Sequence, residues 1–195
     1  IKNKKKLFEI IIIFSFVLIY FFCILKIKKY SVSLFAGAAG ISLEMIFIFI
    51  YQIFYGYIYR DIGLISAVYM LGFLYGLLFN KNDISKKIKF NIALIAIFIS
   101  AAAIPVSLYF FSHYSIIFIS VLMAGFGSSL LFAVTAEKVE YNTKKQVIYY
   151  ISDLIGSALS LVILPLIIIP VFGFPIPLIL LTAGCLITFL FKKKL

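Results

Sequence analysis

Two carboxyl groups sit where a carboxyl group is costly. Glu44 falls near the middle of an apolar stretch running over 31–59, and Asp153 falls about two turns into another, over 147–169. An ionisable side chain inside a membrane-length apolar segment costs about 2.5 to 3.5 kcal/mol on insertion scales, so each position reads first as functional. At about 100° per residue, Gly37, Gly40, Glu44, Tyr51 and Tyr55 share one helical stripe, with Gln52 at its margin. Gln146, Tyr149, Asp153, Ser157 and Ser160 share another, with Gly156 beside them. Carboxylates supply charge, and Tyr rings supply cation–π and hydroxyl contacts. Two such faces meeting inside a bundle would form a cavity for a small cation, bound by Glu44, Tyr51, Gln52, Tyr55 and Asp153. The competing reading is that each carboxyl is protonated, or bonded to a Ser, Tyr or backbone group, and simply joins helices.

Other chemistry finds no constellation. There is no nucleophile elbow, zinc motif, dinucleotide fingerprint or Walker sequence. Gly125-Phe126-Gly127-Ser128-Ser129 has no strand before it and no Lys at the required place, which rejects a phosphate loop. His113 lies in a short loop with no second ligand in view, and Cys23 and Cys185 each lie inside apolar runs. No catalytic residue, metal or cofactor is therefore expected, and the chain alone does not read as a soluble enzyme.

The elements that must position these residues are set by composition. Of the 195 residues 65% are hydrophobic and 13% charged, too few polar groups to clothe a water-soluble surface. A helix of about 20 apolar residues crosses a hydrocarbon core of about 30 Å while satisfying its own backbone. That ruler marks seven candidate helices, at 7–25, 31–59, 62–80, 89–112, 115–136, 147–169 and 176–191. The fold class is all-α, a polytopic transmembrane bundle of six or seven helices in a single domain. Gly72 and Gly76 form a small-xxx-small pair, as do Gly156 and Ser160, and both predict close helix packing. Pro105 sits mid-segment, and Pro165, Pro170, Pro175 and Pro177 predict non-helical backbone at the turn into the last helix.

The net charge of +11 suggests nucleic acid until its distribution is considered. The basic residues cluster at 2–6, 26–29, 81–89 and 192–194, each beside an apolar stretch of spanning length. That pattern belongs to anchors facing anionic lipid headgroups, so the bilayer, and no nucleic acid, is the expected partner. Loops 26–30, 81–89 and 137–146 and the carboxyl terminus then lie in the cytoplasm, in a multi-pass plasma-membrane protein. The Lys cluster at 2–6 falls on the other side under this scheme, which leaves the span 7–25 open to an interfacial or re-entrant reading. The chain opens on Ile1, consistent either with a short stand-alone protein or with the carboxyl-terminal part of a longer one.

The residues around Glu44 and Asp153 carry a family resemblance. Leu43-Glu44, Gln52, Tyr55-Gly56-Tyr57-Ile58-Tyr59, Ile62-Gly63-Leu64, and Met70 with Gly72 and Gly76 resemble the membrane region of the fused, membrane-embedded spermidine synthase-like proteins. A second block, 147–173, is similar to that family's Tyr-x-x-Asp-x-x-Gly helix and places Asp153, Gly156 and Ser157 on motif positions. The two blocks cover about a third of the chain. The resemblance implies a bundle like half of a major-facilitator-type transporter, and a soluble aminopropyltransferase domain as partner. This sequence carries neither that domain's Gly-rich cofactor loop nor its acidic catalytic stretch, so transferase activity falls on no residue present. Three functions follow as expectations: binding or passing a small cationic solute such as a polyamine; tethering a separate soluble enzyme without transport; or acting as a half-transporter in a homo-oligomer.

Overall fold

A computed structural model describes residues 30–56, 59–109, 114–137 and 143–191. The candidate span 7–25, Cys23 and His113 lie outside the described residues. Within them run six long helices and no strand: α1 Ser31–Tyr55, α2 Tyr59–Asn80, α3 Lys86–Tyr109, α4 Tyr114–Ala136, α5 Thr143–Ile163 and α6 Pro175–Phe191. Five helical spans are long and apolar enough to cross a membrane, and the 17 residues of α6 reach the short end of spanning length. The chain is a multi-pass membrane protein of all-α class.

Two boundaries differ from expectation for identifiable reasons. The stretch expected as one helix over 31–59 stops at Tyr55, because Gly56 turns left-handed at φ 76° and its N–H bonds back to the Gln52 carbonyl. Gly is the residue that takes this conformation without steric cost, and it ends α1 three residues before α2 begins. The second difference concerns the prolines. Pro165 and Pro170 were expected to break the helix, yet the helical path continues through a π-helical turn at Leu164–Ile168 and a short α segment at Ile169–Phe172. A wider turn absorbs the missing amide donor of Pro165 without ending the helix. The chain leaves the helical path only at Gly173, φ 71°, before Pro175 opens α6. Pro105 lies inside an uninterrupted α3.

α1 is the central rod. In the most apolar window of each span, 78% of α1 is buried against 11% of the α5 span. α1 packs chiefly on α5 and α4, α4 packs on α2 and α3, and α6 leans on α3. The tightest seams are made at glycine. A Cβ on Gly72 of α2 would strike the Leu122 backbone of α4, and one on Gly156 of α5 would strike the Leu34 carbonyl of α1. Small residues let backbones approach to this distance, and in a bilayer such contact replaces the hydrophobic drive that lipid cannot supply. Outward, α2 shows Leu64, Met70, Leu71 and Leu74, α5 shows Ile151, Leu154 and Leu159, and the π turn after it shows Leu166. In water these faces would aggregate; in hydrocarbon they are the surface that belongs there.

At one end of the bundle a polar knot ties three helices. Asn80 Nδ2 donates to Glu137 Oε1 at 2.6 Å, Lys86 Nζ stands 3.8 Å from Glu137 Oε2, and the buried Lys89 ammonium donates to the Asn80 carbonyl at the end of α2. A cation at a helix carboxyl terminus meets the negative end of the helix dipole.

Candidate functional site

The stripe predicted on α1 faces inward. Gly37, Gly40, Glu44 and Tyr51 are buried and Tyr55 is partly buried; the buried Ser33 continues the line, and the 18 steps from Ser33 to Tyr51 rise about 27 Å, close to the thickness of a bilayer core. Each level of the stripe meets a polar group from another helix. Ser33 Oγ donates to the Tyr149 carbonyl of α5 at 2.7 Å. At the Gly37 level stands Asp153: a Cβ there would lie 2.9 Å from Asp153 Oδ1 and 2.7 Å from Ser157 Oγ. At the Gly40 level stand Tyr69 of α2 and Ser128 of α4, the latter 2.9 Å from the same imagined atom. Glu44 Oε1 accepts from Ser66 Oγ of α2 at 2.7 Å, and Tyr51 OH donates to Asp61 Oδ2 at 3.0 Å.

Glu44 is 7% exposed in the middle of a spanning helix, and among the described residues no basic side chain pairs with it. Asp153 is half-buried, likewise without a basic partner or a hydrogen bond to its carboxyl among the described residues. The two acids do not meet face to face. They occupy levels seven residues apart on α1, about 10 Å along its axis, and Glu44 turns to α2 rather than α5. Between these levels, at Gly40, stands the Tyr69 hydroxyl.

Tyr69 OH and Ser128 Oγ are 3.1 Å apart, and Ser128 Oγ also stands 3.1 Å from the Gly125 carbonyl, which can only accept. Either hydroxyl can donate to the other.

The other expected residues divide. Tyr51 is buried, and its ring packs on that of the partly buried Tyr55 at 4.8 Å between centroids, tilted 41°. Gln52 is exposed, outside the seam. On α5, Tyr149 and Gly156 are buried, Ser157 and Ser160 half-buried, and Gln146 exposed. Ser66, Tyr69 and Ser128 were missed. Their signal was available: Tyr69 precedes Gly72 by three residues and Gly76 by seven, on one face, and Ser128 lies in the glycine cluster that fails as a phosphate loop.

Among the described residues no group of three His, Cys, Asp or Glu is placed to hold a metal ion. No protein-family model, curated protein or solved structure matches the chain.

Proposed function

We propose that the chain is an integral membrane domain that binds a small cationic solute, with Glu44 as the central counter-charge. One observation carries this reading: a carboxyl buried by more than nine tenths in a spanning helix, held by a neutral hydroxyl and by no described base. A charge left unpaired in a low-dielectric interior is strongly disfavoured, so such a group calls for a positive partner or a proton. Asp153 and the Tyr51–Tyr55 pair extend the same polar line towards its two ends. The resemblance to the spermidine synthase-like membrane region makes a polyamine the class to test first. The distribution of lysines supports placing the domain in the plasma membrane with its carboxyl terminus in the cytoplasm, and the resemblance supports half of a transporter-like assembly.

Binding an organic ammonium requires the seam to open, because Gly37 and Gly40 lie against their neighbours with no room for one methyl group. The test is spermidine uptake by proteoliposomes holding the full chain, beside Glu44→Gln. Uptake in the wild type and its loss in the variant support the reading. Equal behaviour of the two removes Glu44 from the mechanism.

The same close packing favours a second reading, in which the bundle transports nothing and tethers a soluble enzyme. The exposed Lys81, Lys86 and Lys87 at the α2–α3 turn would then form its contact. Co-purification with a soluble aminopropyltransferase, abolished by neutralising these lysines, supports tethering; solute-dependent stabilisation of the isolated bundle supports the first reading.

A further inference from the structure

The two acids of the seam stand at different heights. Asp153 lies at the Gly37 level, and Glu44 lies seven residues further along α1, about 10 Å along its axis. Neither has a base beside it among the described residues, so a single cation taken by Glu44 would leave Asp153 bare. At the Gly40 level between them stand the neutral hydroxyls of Tyr69 and Ser128. Along α1 the seam therefore runs acid, hydroxyl, acid. Its complement is a rod with one positive charge at each end. An extended saturated chain advances about 1.25 Å per bond, so nine bonds between two nitrogens span about 11 Å and four bonds about 5 Å. The heights of the acids match the longer chain. Opening preserves those heights. α5 packs chiefly on α1, and only 11% of the most apolar window of its span is buried. Moving α5 sideways from α1 widens the seam with little other packing to undo, and each acid stays at its own level.

We infer that the opened seam takes a linear terminal diamine, one ammonium on Glu44 and the other on Asp153, and that Asp153 thereby selects the length of the amine. This rests on the reading of Glu44 as counter-charge for a cationic solute and narrows that solute to a class. The class is defined by two charges about 10 Å apart on a flexible saturated chain, the rise of seven helical residues. Spermidine and octane-1,8-diamine both belong to it, with nine bonds between their terminal nitrogens, about 11 Å when extended. A monoamine, a short diamine and a metal ion do not. The two attachments reinforce each other, because the second ammonium meets its acid already tethered by the first. Glu44 is the obligatory anchor, and Asp153 is the residue that determines specificity.

Calorimetric titration of the full chain in detergent micelles with butylamine and with terminal diamines of increasing length tests the two-point site. For the wild type, affinity is expected to peak near octane-1,8-diamine, about tenfold or more above propane-1,3-diamine and butylamine, and to fall again at dodecane-1,12-diamine. Asp153→Asn should bring octane-1,8-diamine down to the level of butylamine, and Glu44→Gln should lose binding of every amine. Unchanged helical circular dichroism shows that each variant is folded. Should Asp153→Asn fail to fold, the length series on the wild type carries the test, since it needs no variant. A steady rise of affinity with chain length, the mark of partition into apolar surface, overturns the two-point site. Equal binding of long and short diamines, or a preference for the long one that survives Asp153→Asn, overturns it too. In each of these cases loss of binding in Glu44→Gln leaves the solute reading standing. No binding of any amine, or binding that Glu44→Gln does not change, overturns the solute reading and the two-point site together.

Discussion

The bundle holds a half-exposed acid at one end and a buried acid along α1, and treats them in opposite ways. At the knot joining the ends of α2, α3 and α4, Glu137 is met by the Asn80 amide and the Lys86 ammonium, and Lys89 closes the end of α2. In the seam along α1, Glu44 is met by a serine hydroxyl and by no basic side chain among the described residues. The knot supplies Glu137 with both a donor and a cation from within the chain, and leaves the buried Asn80 Oδ1 as its one unmatched atom among the described residues. The seam offers Glu44 one hydroxyl and no described base. Position along the membrane explains the contrast: the knot lies beside exposed lysines at a helix end, whereas the seam lies within the spanning length, where a resident base would itself be costly.

Both regions depend on the close helix contacts, and breaking those gives the largest effect. Gly72→Val drives a side chain into the Leu122 backbone, separates α2 from α4 and with it displaces Tyr69 and Asn80. A loss of about 3 kcal/mol is expected, seen as a lower melting temperature in detergent. The next effect separates the two regions. Glu137→Ala leaves the Asn80 amide without its acceptor and Lys86 without its partner, at a cost of about 1 to 2 kcal/mol, since stranding a donor outweighs losing a half-exposed ion pair. Tyr69→Phe loses one interhelical hydrogen bond, about 0.6 kcal/mol in a membrane bundle, read from the same melts. Smallest of all, Glu44→Gln keeps an oxygen for Ser66 and is expected within about 0.5 kcal/mol of wild type without solute, by comparison with interhelical polar pairs. A large destabilisation by Glu44→Gln, matching that of Glu137→Ala, would erase the contrast and make Glu44 a joining residue like its counterpart in the knot.

Much of this architecture was legible in the sequence. The length and apolarity of the spans mark all six described helices, and the spacing of Gly37, Gly40, Glu44 and Tyr51 marks the inward stripe of α1. The Gly72–Gly76 pair marks the α2–α4 contact. What escaped depends on a partner or on backbone choice. Tyr-Gly-Tyr inside an apolar run does not by itself reveal that Gly56 will turn left-handed, and a proline in a helix does not reveal a π turn that accommodates it. Helical periodicity places Glu44 and Asp153 on polar faces, but it does not say that Glu44 turns to Ser66 on α2, or that the Tyr69 hydroxyl stands at the Gly40 level between them. Those pairings follow from the relative height and rotation of packed helices, which backbone contact at glycine determines.

The central claim is that Glu44 supplies the charge a cation needs. It is tested most directly by the melting temperature of the purified full chain against rising spermidine concentration, wild type beside Glu44→Gln. The account predicts a wild-type curve that climbs with solute, by the equivalent of about 2.7 kcal/mol at a hundredfold excess over Kd, and a flat curve for the variant. Two curves that climb together, or two that stay flat, would contradict it.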